Sequence, residues 1–231
     1  MTVAVSWIDA GLVDGPFCVA MIDTIRSNPT IFGDIIRVGS GANVSKARNT
    51  VATKFLDETT DEWLWMVDSD LTFSKDAILG LLESADPIER PVVSGLYFAQ
   101  EAAPGSLIPS LRPLIFEFDE EAVFVSVKKY VQNSVFQVNG VPTGMLLIHR
   151  SALEKTRNGK MFPWFYEQLI AGSDGIERWV SEDLTFSIVL QSADIPVFIN
   201  TAVTCAHRKQ YLLTEELYIG LGGPVLKRNE N

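Results

Sequence analysis

Cysteine is scarce in this chain of 231 residues: Cys18 and Cys205 stand far apart, each inside an apolar stretch. That excludes a disulfide-stapled scaffold and a cysteine-built metal site, and both thiols read as small buried hydrophobes in a reducing compartment. Basic residues are short as well, 19 against 29 acidic, for a formal net charge of −10. Neutralising a phosphate backbone needs clustered Lys and Arg, so no nucleic acid partner is expected, nor an anionic lipid surface. No apolar run reaches the roughly 18–20 residues that cross a bilayer, so no membrane span is expected. The opening Met1-Thr2-Val3-Ala4-Val5 has no basic leader and reads as a strand, which makes the expected location cytoplasmic. Histidine is nearly absent too, with only His149 and His207.

What the chain does have is alternation. Residues 3–8, 34–38, 63–67 and 91–98 are short apolar strands, and helical spacing separates them at 17–27, 44–57 and 74–84. In the first helix Val19, Ile22 and Ile25 mark one side; in the second, Val44, Ala47, Val51 and Phe55 recur, with Asn43 as N-cap. Ser74 is the expected cap of the third. This β-α-β order predicts an α/β fold, a single domain with a mostly parallel central sheet and helices on both faces. Beyond residue 99 the pattern changes. Residues 99–113 hold three prolines and read as a long loop of the functional kind. Segments 114–118, 123–128 and 135–138 read as a smaller antiparallel portion, followed by a strand at 144–149, a helix from 151, a helix at 182–192 and a strand at 195–200.

Six features carry chemistry. Trp63-Leu64-Trp65-Met66-Val67 ends directly in Asp68-Ser69-Asp70. At the carboxyl end of a parallel strand such a pair reaches the crevice where α/β sheets bind ligands, and two carboxylates there suit Mg²⁺ or Mn²⁺. The same residues could equally form a solvated turn before a helix. Ser181-Glu182-Asp183 opens a helix; it reads either as a cap with dipole-complementing acids or as the source of a general base. His207 follows an apolar stretch and is either structural or a ligand, whereas His149 is taken as structural. Arg48, in Ala47-Arg48-Asn49, could grip a diphosphate or lie on a solvated face. Thr143-Gly144 brings a small residue to a strand start, where a ligand or backbone comes close. Trp164, Phe165 and Trp179 are either core or flat platforms for a sugar.

In order, these segments resemble the GT-A fold glycosyltransferases, in particular the family-2-like nucleotide-sugar transferases, from Val3 to His207. The resemblance implies one domain over 1–210, with 1–98 as the nucleotide-sugar-binding half and 99–210 as the acceptor and catalytic half, and a C-terminal tail at 211–231. It implies a divalent cation, Mn²⁺ or Mg²⁺, on Asp68, Asp70 and His207. Asp183 would act as catalytic base with Glu182 in support. A UDP- or GDP-hexose donor would be lined by Ser6, Trp7, Asp9, Arg48, Asn49, Ser69, Thr143 and Gly144, with an unidentified hydroxyl acceptor beside Trp164 and Trp179. The implied reaction is metal-dependent transfer of a hexose to a hydroxyl, inverting or retaining. The first strand ends Ser6-Trp7-Ile8-Asp9 instead of the family's usual turn, and the Gln-x-x-Arg-Trp motif of processive members is absent.

Two other readings stand beside it. A sugar-nucleotidyltransferase would need a basic glycine-rich loop after the first strand, and residues 9–16 contain no Lys or Arg. A non-catalytic nucleotide- or carbohydrate-binding module would need a broken cation site. Divided at 56/57 and 121/122, the three pieces of the chain carry +1, −12 and +1, so the acidity belongs to the piece containing Asp68 and Asp70. An anionic donor approaching that field needs a cation to meet it.

Overall fold

A computed structural model describes residues 2–101, 110–157 and 163–209. The centre of the proposed 99–113 loop, the first part of the aromatic segment at 161–166 and the tail at 211–231 lie outside the described residues. The first half runs β1 (Val3–Asp9), α1 (Gly15–Ser27), β2 (Phe32–Gly39), α2 (Val44–Glu58), β3 (Trp63–Val67), β4 (Leu71–Phe73), α3 (Ala77–Ser84), β5 (Val92–Leu96) and β6 (Phe98–Glu101). The second continues with β7 (Ser110–Pro113), β8 (Phe116–Phe118), β9 (Phe124–Ser126), β10 (Val135–Val138), β11 (Met145–His149) and α4 (Arg150–Thr156). It closes with β12 (Gln168–Ala171), β13 (Glu177–Val180), α5 (Glu182–Ser192) and β14 (Val197–His207).

The central sheet has the order β10-β14-β5-β11-β3-β1-β2, with β4 attached to β14. Strands β2, β1, β3, β5 and β14 run in one direction; β11 is inserted antiparallel between β3 and β5, and β10 is antiparallel at the edge. The fold is therefore mixed α/β with mostly parallel strands, and a strand from the second half lies inside the sheet of the first. Two-stranded antiparallel pieces, β6–β7, β8–β9 and β12–β13, make up the smaller portion.

Alternation along each strand builds two cores. In β3, Leu64 and Met66 join the apolar cluster that includes Val51 and Phe55 of α2 and Phe186 and Leu190 of α5. Trp63, Trp65 and Val67 join the opposite one, with Phe17 and Met21 of α1 and Ile78 and Leu81 of α3. All five residues of β3 are buried because helices cover both faces. Asn43 caps α2 as expected, its side chain accepting from the Lys46 amide. At the other end of α2, Arg150 donates to the carbonyls of Phe55, Leu56 and Thr59, supplying partners that the last turn lacks.

Three local expectations change. Val19 and Ile22 are 60% and 55% exposed, and α1 instead buries Phe17, Ala20, Met21 and Thr24. The Thr24 hydroxyl donates to the Ala20 carbonyl at 2.7 Å, which removes the cost of burying it. A reading that counts aliphatic residues alone misses a face completed by threonine. Helix α3 begins at Ala77, after Ser74 has accepted from the Asp76 amide in a turn. Strand β14 is far longer than residues 195–200. Its pairing with β5 slips between Asn200 and Thr204, and it then pairs with β4. No helix among the described residues is long and apolar enough to cross a membrane.

Candidate active site

The carboxyl ends of β1, β3 and β14 and the amino end of antiparallel β11 lie at the same edge of the sheet. The turn after β3 is closed by the Leu71 amide on the Asp68 carbonyl, 3.1 Å, and the Asp68 amide donates to the Gly144 carbonyl at 2.9 Å. Strand β4, not foreseen from sequence, pairs Leu71 with His207. That register brings Asp70 Oδ2 to 3.0 Å from His207 Nε2, across 137 positions of sequence. Arg208 fixes the approach, its amide donating to the Asp70 carbonyl at 2.9 Å and its guanidinium to Asp14 at 2.8 Å.

Beside this pair lies a buried charge cluster. Arg48, 5% exposed, leaves α2 and donates through Nη1 to Glu182 Oε1 at 2.6 Å and to Asp183 Oδ1, and through Nη2 to Asp68 Oδ1 at 3.3 Å. The Thr143 hydroxyl also donates to Asp183 Oδ1, at 2.7 Å. Arg48 does not lie on a solvated face, and its donors meet the carboxylates of Glu182, Asp183 and Asp68. Burial opposes its charge, but Asp183, Asp68 and Glu182 together raise its pKa. Burial raises the carboxyl pKa values of Asp68 and Asp183 even with Arg48 opposing it. Ser181 occupies the N-cap of α5 without a side-chain capping bond, so Glu182 and Asp183 are held by Arg48 and the helix dipole.

Gly144 makes the crowding possible. A Cβ there would sit 2.5 Å from Asp68 Oδ2 and would also strike the Tyr97 hydroxyl, which accepts from the Gly144 amide at 3.0 Å. Burial, with Asp68 and Asp183 nearby, pushes the Tyr97 phenol well up. Tyr97 was missed in the sequence because it reads as one more apolar strand residue. Its signal is a hydroxyl at the end of a strand that otherwise buries every side chain.

Asp70 and His207 shift in complementary directions. Burial works against the charged form of each; contact with the other outweighs it, lowering the Asp70 pKa and raising that of His207. The Phe98 carbonyl, 2.9 Å from His207 Nδ1, adds to the second shift. Among the described residues, no group of three His, Cys, Asp or Glu side chains stands ready to hold a metal. Of Asp68, Asp70 and His207, Asp68 faces Arg48, while Asp70 and His207 form a pair. An oxygen and a nitrogen 3.0 Å apart suit two adjacent positions on one divalent cation, the rest of whose shell would be phosphate oxygens and water.

The remaining candidates divide. Ser6, Trp7, Arg48, Asp68 and Thr143 converge, but the space between them is a water-sized cavity of about 10 Å³. Ser6 is fully buried and donates to the Trp65 carbonyl, and Asp9 is held by Arg37 through two bonds of 2.7 and 2.8 Å, which lower its pKa. The Ser69 carbonyl accepts from the Asp14 amide. Asn49 clamps a loop: its Nδ2 donates to the Phe165 carbonyl and its Oδ1 accepts from the Trp164 and Phe165 amides. Trp164 lies in the core, 6% exposed, with its indole N–H on Thr156. Trp179, on β13, is 72% exposed. A cleft of about 710 Å³ opens between the start of α2 and Glu182, lined by Lys46, Asn49, Tyr166 and Glu167. His149 caps α4, accepting from the Ser151 amide. Cys205 is buried and its thiol is pushed up to about 12.

No protein-family model and no curated protein matches the sequence. Solved structures do match. The crystal structure of A197 from STIV superposes with a TM-score of 0.56 at 16% identity, covering 91% of this chain and 87% of that one. The crystal structure of GalNAc-T7 with UDP, GalNAc and Mn²⁺ superposes with a TM-score of 0.50 at 10% identity, covering 90% of this chain. The chain spans less than half, 44%, of the GalNAc-T7 chain. Likeness at these identities is likeness of fold alone: the chain shares a mixed α/β architecture with these two structures.

Proposed function

We propose that this protein transfers a hexose from a nucleoside diphosphate sugar to a hydroxyl acceptor. The observation that carries the reading is the meeting of Asp70 and His207, 3.0 Å apart at the carboxyl edge of the sheet, beside the buried acids of α5. The fold it shares with a structure holding UDP, GalNAc and Mn²⁺ supports it. Asp70 and His207 are the residues that would hold a divalent cation, Mn²⁺ or Mg²⁺, which when bound supplies Lewis-acid stabilisation to a departing diphosphate.

The protein's own groups do the rest. Asp183 takes the acceptor proton: a carboxylate whose pKa is raised by burial is a stronger base than one in water. Arg48 and Thr143 both bond its Oδ1 and so fix the orientation of the carboxylate. Arg48 acts as a positioning residue, tying the turn after β3 to the start of α5. Glu182 lines the 710 Å³ cleft, and this cleft, with Tyr166 and Lys46 on its walls, is the acceptor's entry. Exposed Trp179 remains available as an acceptor platform at the surface.

Calorimetry with UDP and GDP, with and without Mn²⁺, and a hydrolysis screen over nucleotide sugars test the reading. Asp70→Asn should abolish both turnover and Mn²⁺-dependent nucleotide binding; Asp183→Asn should abolish turnover and leave that binding intact. Full turnover in either variant removes the assignment.

A further inference from the structure

The strand that delivers His207 also delivers a cation. Two residues on, Lys209 folds back so that its Nζ lies 2.6 Å from His207 Nε2 and 3.4 Å from Asp70 Oδ2. The bonds of Arg208 to the Asp70 carbonyl and to Asp14 hold this segment against the turn. An ammonium can only donate, so Lys209 Nζ is a cation set against His207 Nε2 and the Asp70 carboxylate, the same two groups that would meet a divalent cation.

We propose that the Lys209 ammonium is the built-in occupant of the cation position formed by Asp70 and His207, and that a divalent cation enters only by displacing it. This rests on the reading above that the pair binds a cation. Two features suit displacement. The Lys209 side chain is 38% exposed on a flexible four-carbon stem, so it can swing into water, and the Asp70 side chain is 40% exposed. With Asp68 held by Arg48, an arriving cation gains two protein ligands and must first break a charge-assisted contact. Lys209 thereby sets the threshold concentration at which the site loads.

The test is Mn²⁺ binding by the full chain, read from the free-ion electron paramagnetic resonance signal and independently of turnover. Lys209→Met should bind Mn²⁺ about tenfold more tightly than wild type, the gain from removing one charge-assisted competitor. Lys209→Arg, which keeps a cation, should stay nearer wild type, and His207→Ala in the Lys209→Met background should abolish the gain. Equal or weaker binding by Lys209→Met overturns the proposal; if Asp70→Asn still abolishes Mn²⁺ binding in that case, the cation site itself stands. If neither wild type nor Lys209→Met takes up Mn²⁺, both the site and the competitor fall.

Discussion

Replacing Arg48 by methionine keeps much of the side chain's bulk and removes its charge from among three carboxylates. The guanidinium is 5% exposed and contacts Glu182 at 2.6 Å, Asp68 at 3.3 Å and Asp183. At an effective dielectric near 20, one pair with charges ~4 Å apart attracts by about 4 kcal/mol. Dehydration of four charges and repulsion among three carboxylates offset most of the sum, and removing one partner from such a buried cluster costs about 3–5 kcal/mol. The loss has a pH dependence of fixed sign. Burial already raises the pKa values of Asp68 and Asp183, and without Arg48 they rise further. The folded variant then binds more protons than its unfolded chain, so this contribution is full below about pH 4 and is lost as pH climbs through the raised folded values. Urea unfolding at pH 5 and pH 8 is the assay. The variant should be about 3–5 kcal/mol less stable than wild type at pH 8, and the deficit should shrink by about 1–2 kcal/mol at pH 5. A deficit below about 1 kcal/mol, or one that grows toward acid, refutes the cluster as described.

Three other perturbations probe separate parts of the site. Asn49→Ala removes the clamp on Trp164 and Phe165 and should cost about 2–3 kcal/mol in urea unfolding, with UDP affinity changed by less than about twofold; a large loss of affinity at wild-type stability would return Asn49 to the donor site. Gly144→Ala forces a methyl against Asp68 and Tyr97 and should cost about 1–3 kcal/mol, seen as a lowered melting temperature, and an unchanged one contradicts the close approach. Asp174, on the β12–β13 turn, has its carboxyl lowered from 3.8 to about 2 by the Arg178 guanidinium and the Ile176 amide. Its contribution is present above about pH 4 and lost as pH falls toward 2, so amide exchange in β12 and β13, corrected for intrinsic rate, should accelerate over that window in wild type but not in Asp174→Asn.

Much of the fold was legible because periodicity reports burial. Five consecutive apolar residues from Trp63 to Val67 fit a strand covered on both sides, as β3 is, and Glu182–Ser192 appears as the helix its spacing predicts. Helix α1 exists where expected but faces the other way, because Thr24 is buried at the price of a single local hydrogen bond. The insertion of β11 between β3 and β5 was not legible: a strand's own residues record that it is buried and leave its neighbours unstated.

The same division runs through the site. Sequence by itself determined the chemistry available: carboxylates at the end of a buried strand, acids opening a helix, and one histidine after an apolar stretch. Those conclusions follow from residue type and local order, which need no partner. Pairing came only from the tertiary structure. The slip after Asn200 lets β14 leave β5 for β4, and the resulting register brings Asp70, His207 and Lys209 together. Arg48, read as a phosphate contact or a solvated charge, became the counter-ion of three buried acids, since a guanidinium's role is fixed by which carboxylates the folded chain carries to it. Side-chain identity limits what a residue can do; the long-range register decides to whom it does it.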